Sequence, residues 1–229
     1  MQRRIRSRRV AARAGTPSLT AELRFILPLV MQSSAAVLNS PPMGSAAVAR
    51  PVPSHFNYPE TCMTISMYQA SVPSFTRALN NLAAILEKAA AHAQARKLDE
   101  SVLLGSRLFP DMFPLVRQVQ IATDTARSGA GRLAGAEFPA YEDKESTFAA
   151  LVARIRNTTA YLQGLRPAQI DGSEDKTITW QTRSSTKSMQ GLPYLMDHLL
   201  PNVHFHVTTA YCILRHNGVE LGKKDFLGP

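Results

Sequence analysis

The chain has 229 residues, 45% of them hydrophobic, and a formal net charge of +9. This is enough apolar material for one domain with an extension or for two small domains. No run approaches the roughly 18 apolar residues of a membrane-spanning helix, and two cysteines, Cys62 and Cys212, make no disulfide framework.

The charge is concentrated at the start. Residues 1–62 hold eight arginines and two glutamates, net +6, which leaves only +3 for residues 63–229. The basic balance is therefore no argument for a nucleic-acid-binding face on the rest of the chain. Arg3, Arg4, Arg6, Arg8, Arg9 and Arg13 precede any acidic residue, and Pro, Ser and Ala dominate from there to Cys62 without helical or strand periodicity. The expectation is a disordered basic extension over 1–62. An organelle transit peptide fits the same Arg-rich, acid-poor composition, and a basic nucleic-acid-binding arm is a third reading. The apolar run at 25–31 is seven residues long and contains Pro28, too short for a secretory signal. The chain reads as cytoplasmic, with organelle targeting by residues 1–62 as the alternative.

Regular patterning begins at Met63, and four helical segments follow. In the first, Tyr68, Val72, Phe75, Leu79, Leu82, Leu86 and Ala89 step by four and three along one face. Pro73 suggests a regular start near Ser71. The second is expected to start at Asp111, with Pro114 tolerated in its first turn. Its stripe is Asp111, Leu115, Gln118 and Ala122, flanked by Met112, Val119 and Ala126, and Gly129, Gly131 and Gly135 are expected to loosen and end it.

The acidic run at 142–145 introduces the third helix, at the end where carboxylates suit the dipole. Phe148, Leu151, Ile155, Thr159 and Leu162 form its stripe, which ends before Arg166 and Pro167. Residues 168–192 are polar and loop-like. Alternation of Ile178 and Trp180 within 177–182 predicts a short strand, and Gly191, Leu192 and Pro193 open the fourth helix. Four amphipathic helices imply an all-α antiparallel four-helix bundle over 63–229.

The fourth helix carries the candidate site. Leu195, Leu199, Asn202, His206, Thr209 and Ile213 share one face, and Pro201 is expected to bend the helix. Asn217 and Gly218 stop it, with Arg215 and His216 at the negative end of its dipole. Cys212 reads as a small buried core residue. A polar side chain on a buried stripe costs roughly 1–3 kcal/mol unless it finds a partner, so Asn202 and His206 must meet one inside the fold. His206 is a satisfied core histidine or a ligand. It has no histidine four residues away, because positions 202 and 210 are Asn and Ala. His198 is about 12 Å of helical rise away, too far to share one ion. No Ser-His-Asp motif or phosphate-binding loop is present.

Four stretches carry a family resemblance: MTISMYQASVPSFTRAL at 63–79, RLFPDMFPLVRQVQIATD at 107–124, RLAGAEFPAYED at 132–143 and PNVHFHVTTAYCILRHNGVELGKKDFLG at 201–228. From Met63 to Gly228 the chain resembles the domain-of-unknown-function family numbered nineteen ninety-three, within the DinB/YfiT-like superfamily of four-helix-bundle metalloenzymes. That superfamily holds a divalent metal with one histidine from the second helix and two, four apart, from the fourth. The resemblance thus implies a zinc, nickel or iron site. This sequence departs from the pattern. The second helix has no histidine, Gln118 stands near the expected position, and the fourth helix offers Asn202 and His206. His206 is the only good candidate metal ligand, with Asp111 or Asp124 as carboxylates if packing brings one to it.

The alternative is a hydrogen-bonded knot of Asp111, Gln118, Asn202 and His206 that fixes helix register. Arg107 and Arg215 are expected to form structural ion pairs with Asp111 or Asp225. Two functions stay open: a small-molecule enzyme around His206, doing metal-assisted hydrolysis or thiol-dependent transfer, or a non-catalytic binding or stress-associated bundle with a degenerate metal site. Expected partners are a small molecule and, allowed by the pattern, a second copy as a homodimer. Neither nucleic acid nor membrane is expected for the folded part.

Overall fold

The computed structural model describes residues 64–182 and 184–229. The expected extension over 1–62 lies outside the described residues. In chain order the elements are α1 (Met67–Arg96), the short α2 (Glu100–Leu104), α3 (Leu115–Ala134), α4 (Phe148–Gln163) and the short α5 (Pro167–Ile170). A hairpin of β1 (Thr177–Gln181) and β2 (Thr186–Gln190) follows. Then come the single turn α6 (Gly191–Pro193), a π-helical segment (Tyr194–Leu199), α7 (Leu200–His216) and the terminal α8 (Lys223–Leu227).

α1, α3, α4 and α7 form the four-helix bundle. α1 packs against α4 and α7, and α3 packs mainly against the same two, so α1 and α3 stand on opposite corners. Phe75, Leu79, Leu82 and Leu86 of α1 meet Leu115, Val119 and Ala126 of α3 in one core. Phe148, Leu151, Ile155 and Leu162 of α4 and Val203, Val207, Ala210 and Ile213 of α7 complete it. Full burial of side chains this size contributes about 1.5–3 kcal/mol each. Every residue of the expected α4 stripe is buried. On α7 the buried seam is displaced by one position, through Val203 and Val207, which leaves Asn202 and His206 half-buried on its edge.

Helix ends correct the sequence reading in three places. α1 starts at Met67 rather than near Ser71, because Ser66 and Gln69 form a reciprocal cap over its first turn. Pro73 then sits inside the helix, where it removes one ladder hydrogen bond. α3 starts at Leu115 with Pro114 as its N-cap, so Asp111 is not on the helix at all. Gly129 and Gly131 do not end α3 but lie buried within it. A Cβ on Gly129 would stand 2.4 Å from the Leu199 side chain, and one on Gly131 would stand 2.6 Å from the Phe138 ring. Only Gly135, at φ +63°, is the left-handed stop.

Two backbone features were not anticipated. The single expected strand is a two-stranded antiparallel hairpin, with Ile178 opposite Met189 and Trp180 opposite Lys187. β2 shows no apolar alternation because its side chains are mostly exposed. The bend expected at Pro201 is met by a widened ladder: the Leu200 N–H bonds the Leu195 carbonyl, five residues back. Pro201 follows directly on this π-helical turn, so its missing N–H removes one bond from a helix that is already running. No helix among the described residues is long and apolar enough to cross a membrane. Cys212 is half-buried rather than a full core residue.

Candidate functional site

α3 and α7 pack side by side, and Gln118 on α3 reaches His206 on α7. The Gln118 Oε1 atom lies 2.6 Å from His206 Nδ1. Gln118 is 1% exposed, and its Nε2 donates to the carbonyl of Phe113 at 2.9 Å, just before the helix begins. That second bond fixes which way the amide points. With Oε1 as the acceptor, the imidazole must carry its proton on Nδ1, which leaves Nε2 with a free lone pair. Burial, with the positive charge of Arg117 adding to it, lowers the His206 pKa to about 4. The imidazole is therefore neutral across the physiological range.

The other expected site residues are dispersed. Asn202 is half-buried one turn before His206 on α7. Asp111 is exposed in the turn ahead of α3, so it cannot join a knot inside the bundle. Arg107 does not pair with Asp111. It donates to the carbonyls of Pro110 at 3.4 Å and Met112 at 3.2 Å, because the loop folds back over its guanidinium. Arg215 is exposed and does not pair with Asp225, which is taken by Lys88 and by the N–H of Gly222. Asp124 is bound by Arg127 of its own helix and by Arg154 of α4.

Those arginines belong to a polar cluster that the sequence reading missed. Arg154 of α4, whose side chain is 2% exposed, donates to Asp124 at 2.7 Å, Glu145 at 2.9 Å and Thr123 at 2.8 Å. It also lies 3.1 Å from Asp143. Arg127 donates to the same Asp124 oxygen at 2.9 Å and stacks on the Tyr141 ring at 4.0 Å. Arg117 closes the cluster by pairing with Asp143 and donating to Gln120, which in turn donates to Glu145 at 2.8 Å. Burial opposes charge on Glu145, but hydrogen bonds from Arg154 and Gln120 outweigh it and hold the carboxyl below its ordinary range. Burial pushes Asp124 up despite both arginines. Asp143 and Glu145 of the acidic run thus pair with Arg117 and Arg154, while Glu142 pairs with Lys144. A clue was available in the sequence: Arg154 follows Leu151 by three, on the apolar face.

A second aromatic contact sits at the hairpin. Trp180 packs on Tyr194 and His198, with ring centroids 4.8 and 4.9 Å away. This stack fastens the hairpin to the π-helical segment and accounts for His198 without a ligand role.

The donors around His206 suit a divalent metal poorly. They comprise one imidazole and the neutral Gln118 amide, whose oxygen is turned to the His206 N–H, and Arg117 presses positive charge on the same ring. Among the described residues no group of three His, Cys, Asp or Glu is placed to hold a metal ion. Three open clefts of about 420, 400 and 450 Å³ lie elsewhere on the surface, and neither His206 nor Gln118 lines any of them.

Comparison with known proteins bears on the fold. The family model described as Domain of unknown function (DUF1993) matches residues 67–227. Among solved structures, a DinB family member protein from Shewanella denitrificans is 45% identical, with a TM-score of 0.65. The match covers 71% of this chain and 92% of that one. No curated protein matches.

Proposed function

The chain belongs to the DUF1993 family, on a DinB-like helical bundle, and from that premise we propose that it is a non-catalytic binding bundle whose superfamily metal position is closed by a hydrogen-bonded pair. The observation that carries this reading is the Gln118–His206 contact, locked from behind by the Phe113 carbonyl. An imidazole with a pKa of about 4 is also a weak general base near neutral pH, since proton transfer is best served by a pKa near the working pH. A neutral, satisfied pair of this kind fixes the register of α3 against α7.

The rival, a small-molecule enzyme centred on His206, draws on one feature: Nε2 keeps a free lone pair, the form in which histidine binds metal or accepts a proton. Elemental analysis of the purified full chain, followed by zinc titration of wild type and His206→Ala, separates the two. The expected result is no stoichiometric transition metal and weak zinc binding that His206→Ala barely changes. One tightly held ion per chain, lost in His206→Ala, would replace this reading with the enzyme.

A further inference from the structure

One buried guanidinium in the bundle keeps donors that nothing in the chain receives. Arg127 of α3 has its side chain 7% exposed, and its Nη2 pairs with an Asp124 oxygen at 2.9 Å. Among the described residues nothing bonds its Nε or Nη1, and both atoms are buried. A buried charged donor without a partner is costly, and such a group calls for one from outside the chain. Nη2 carries two hydrogens, of which Asp124 takes one. On the other edge its second hydrogen and the neighbouring nitrogen form a free fork, the shape that receives both oxygens of a carboxylate.

The surrounding charges favour an anion. Asp124 gives the same oxygen to Arg154, which also meets Glu145 and Asp143, and Asp143 pairs with Arg117. Arg127 is left with half of one shared oxygen, so its charge is the least offset of the three arginines. One further negative charge balances it, whereas a dianion would overshoot in a buried site.

The place is the groove between α3 and α4. Asp124, Arg127 and Gly131 step by three and four along α3, and Arg154, Asn157 and Tyr161 do the same along α4. A Cβ on Gly131 would stand 2.8 Å from the Tyr161 hydroxyl, so the glycine lets the two faces meet one turn beyond Arg127. From the connection over residues 135–147, Tyr141 lays its ring on Arg127 at 4.0 Å and on Arg154 at 5.0 Å. The same half-buried Tyr141 lines an open cleft of about 400 Å³, together with Asn157, Ala140, Ala150 and Ala153. Glu142 and Glu145 of that cleft are already paired, with Lys144 and Arg154. Tyr141 thus touches both an open cleft with an apolar wall and the buried guanidinium.

We propose that this groove binds a small monocarboxylate, its two oxygens on the free edge of Arg127 and its hydrocarbon part toward Ala140, Ala150 and Ala153. Tyr141 is the cover that moves aside to admit it. Gln118 stands nine residues before Arg127, half a turn round α3 and about 13 Å along it. The inference therefore stands or falls apart from the metal question.

An NMR titration of the isotope-labelled full chain with sodium acetate tests it, with sodium chloride and sodium phosphate at matched ionic strength as the other arms. The Arg127 Nε–H signal is expected to shift saturably with acetate and to stay in place with chloride and phosphate. Backbone N–H signals of Tyr141 and Asn157 report on the variants. Arg127→Lys, which keeps the charge and loses the fork, is expected to weaken acetate binding at least about tenfold. Tyr141→Ala is expected to bind about threefold more tightly or better, since no ring has to leave the guanidinium. Arg156→Gln, at an exposed pair with Glu87, is expected to bind as wild type does. Circular dichroism reports whether each variant keeps its fold. The absence of a saturable shift in both wild type and Tyr141→Ala overturns the proposal. So does an equal response to chloride or phosphate, an Arg127→Lys variant as tight as wild type, a Tyr141→Ala variant weaker than wild type, or an Arg156→Gln variant weakened as much as Arg127→Lys.

Discussion

Asp124 Oδ1 stands 2.7 Å from the Arg154 guanidinium, and that arginine is sealed into the bundle wall with its side chain 2% exposed. Every nitrogen of Arg154 is used: Nε on Thr123, one terminal nitrogen on Asp124 and the other on Glu145 and Asp143. Asp143 and Glu145 come from the α3–α4 connection, so one side chain ties α3, α4 and the chain that joins them. Removing Arg154 leaves Glu145, 13% exposed, without its counter-charge and Thr123 without its donor, while Asp124 keeps Arg127 and Asp143 keeps Arg117.

Arg154→Ala is therefore expected to lower unfolding free energy by on the order of 3 kcal/mol. The exposed pair of Arg156 with Glu87 supplies the comparison, because Arg156→Ala at such a site should cost under about 1 kcal/mol. Urea unfolding of both variants checks the difference. Equal small losses would show that the cluster is solvated rather than structural.

The contrast between the two polar groups explains what was legible in the sequence. Gln118 and His206 interrupt apolar stripes in helices that pack together, so periodicity alone placed both near the interior. Asp111 has the same spacing as the stripe, but α3 begins four residues after it, at Leu115. Its side chain has no way into a helix that begins after Pro114. The Arg154 cluster depends on partners from residues 141–145, a stretch with no periodicity, and nothing local reveals which carboxylate turns inward. The π-helical segment was hidden for a different reason. Leu195, Leu199 and Asn202 keep helical steps through it, and only Pro201 hints at the widened ladder.

His206 should leave a mark on stability against pH. Its pKa is lowered to about 4 in the fold, by burial first and by Arg117 second. The unfolded chain, with a pKa near 6.5, binds the proton more readily. Stability from this group is thus fully present above about pH 6.5 and declines as pH falls toward 4. Discounted for partial exposure, the loss is roughly 1–3 kcal/mol. Urea unfolding of wild type and His206→Gln between those limits reads it as a difference in slope, which removes the contribution of His198 common to both. Parallel curves would place the imidazole in water.

A chain truncated to residues 63–229 is expected to unfold at the same midpoint as the full chain. Every core member among the described residues lies at Met67 or beyond, and the family match begins at Met67. Residues 1–62 are rich in Arg, Pro, Ser and Ala without helical or strand periodicity, a composition with little apolar surface to offset the entropy of ordering. Thermal unfolding of the two forms compares them directly. A midpoint several degrees lower after truncation would mean that residues 1–62 pack on the bundle.

The proposed degenerate site can be tested by rebuilding it. Gln118 and His206 already touch at their tips, at 2.6 Å. Asn202 precedes His206 by four residues, so both project from one face of α7 about 6 Å apart along the axis. Gln118→His with Asn202→His replaces two neutral amides with imidazoles and gives three nitrogen donors around one point. A fourth position stays open, which is the ligand set zinc favours in reactive sites. Isothermal titration of wild type, the two single variants and the double variant should show zinc bound at least roughly a hundredfold more tightly by the double variant. Proton release should accompany binding wherever an imidazole must first deprotonate. Arg117→Gln in the same background should tighten it further, since it removes the positive charge that acts on His206. If the double variant binds no better than either single one, the three positions do not converge, and Gln118–His206 is a packing pair unrelated to the metal position of the superfamily.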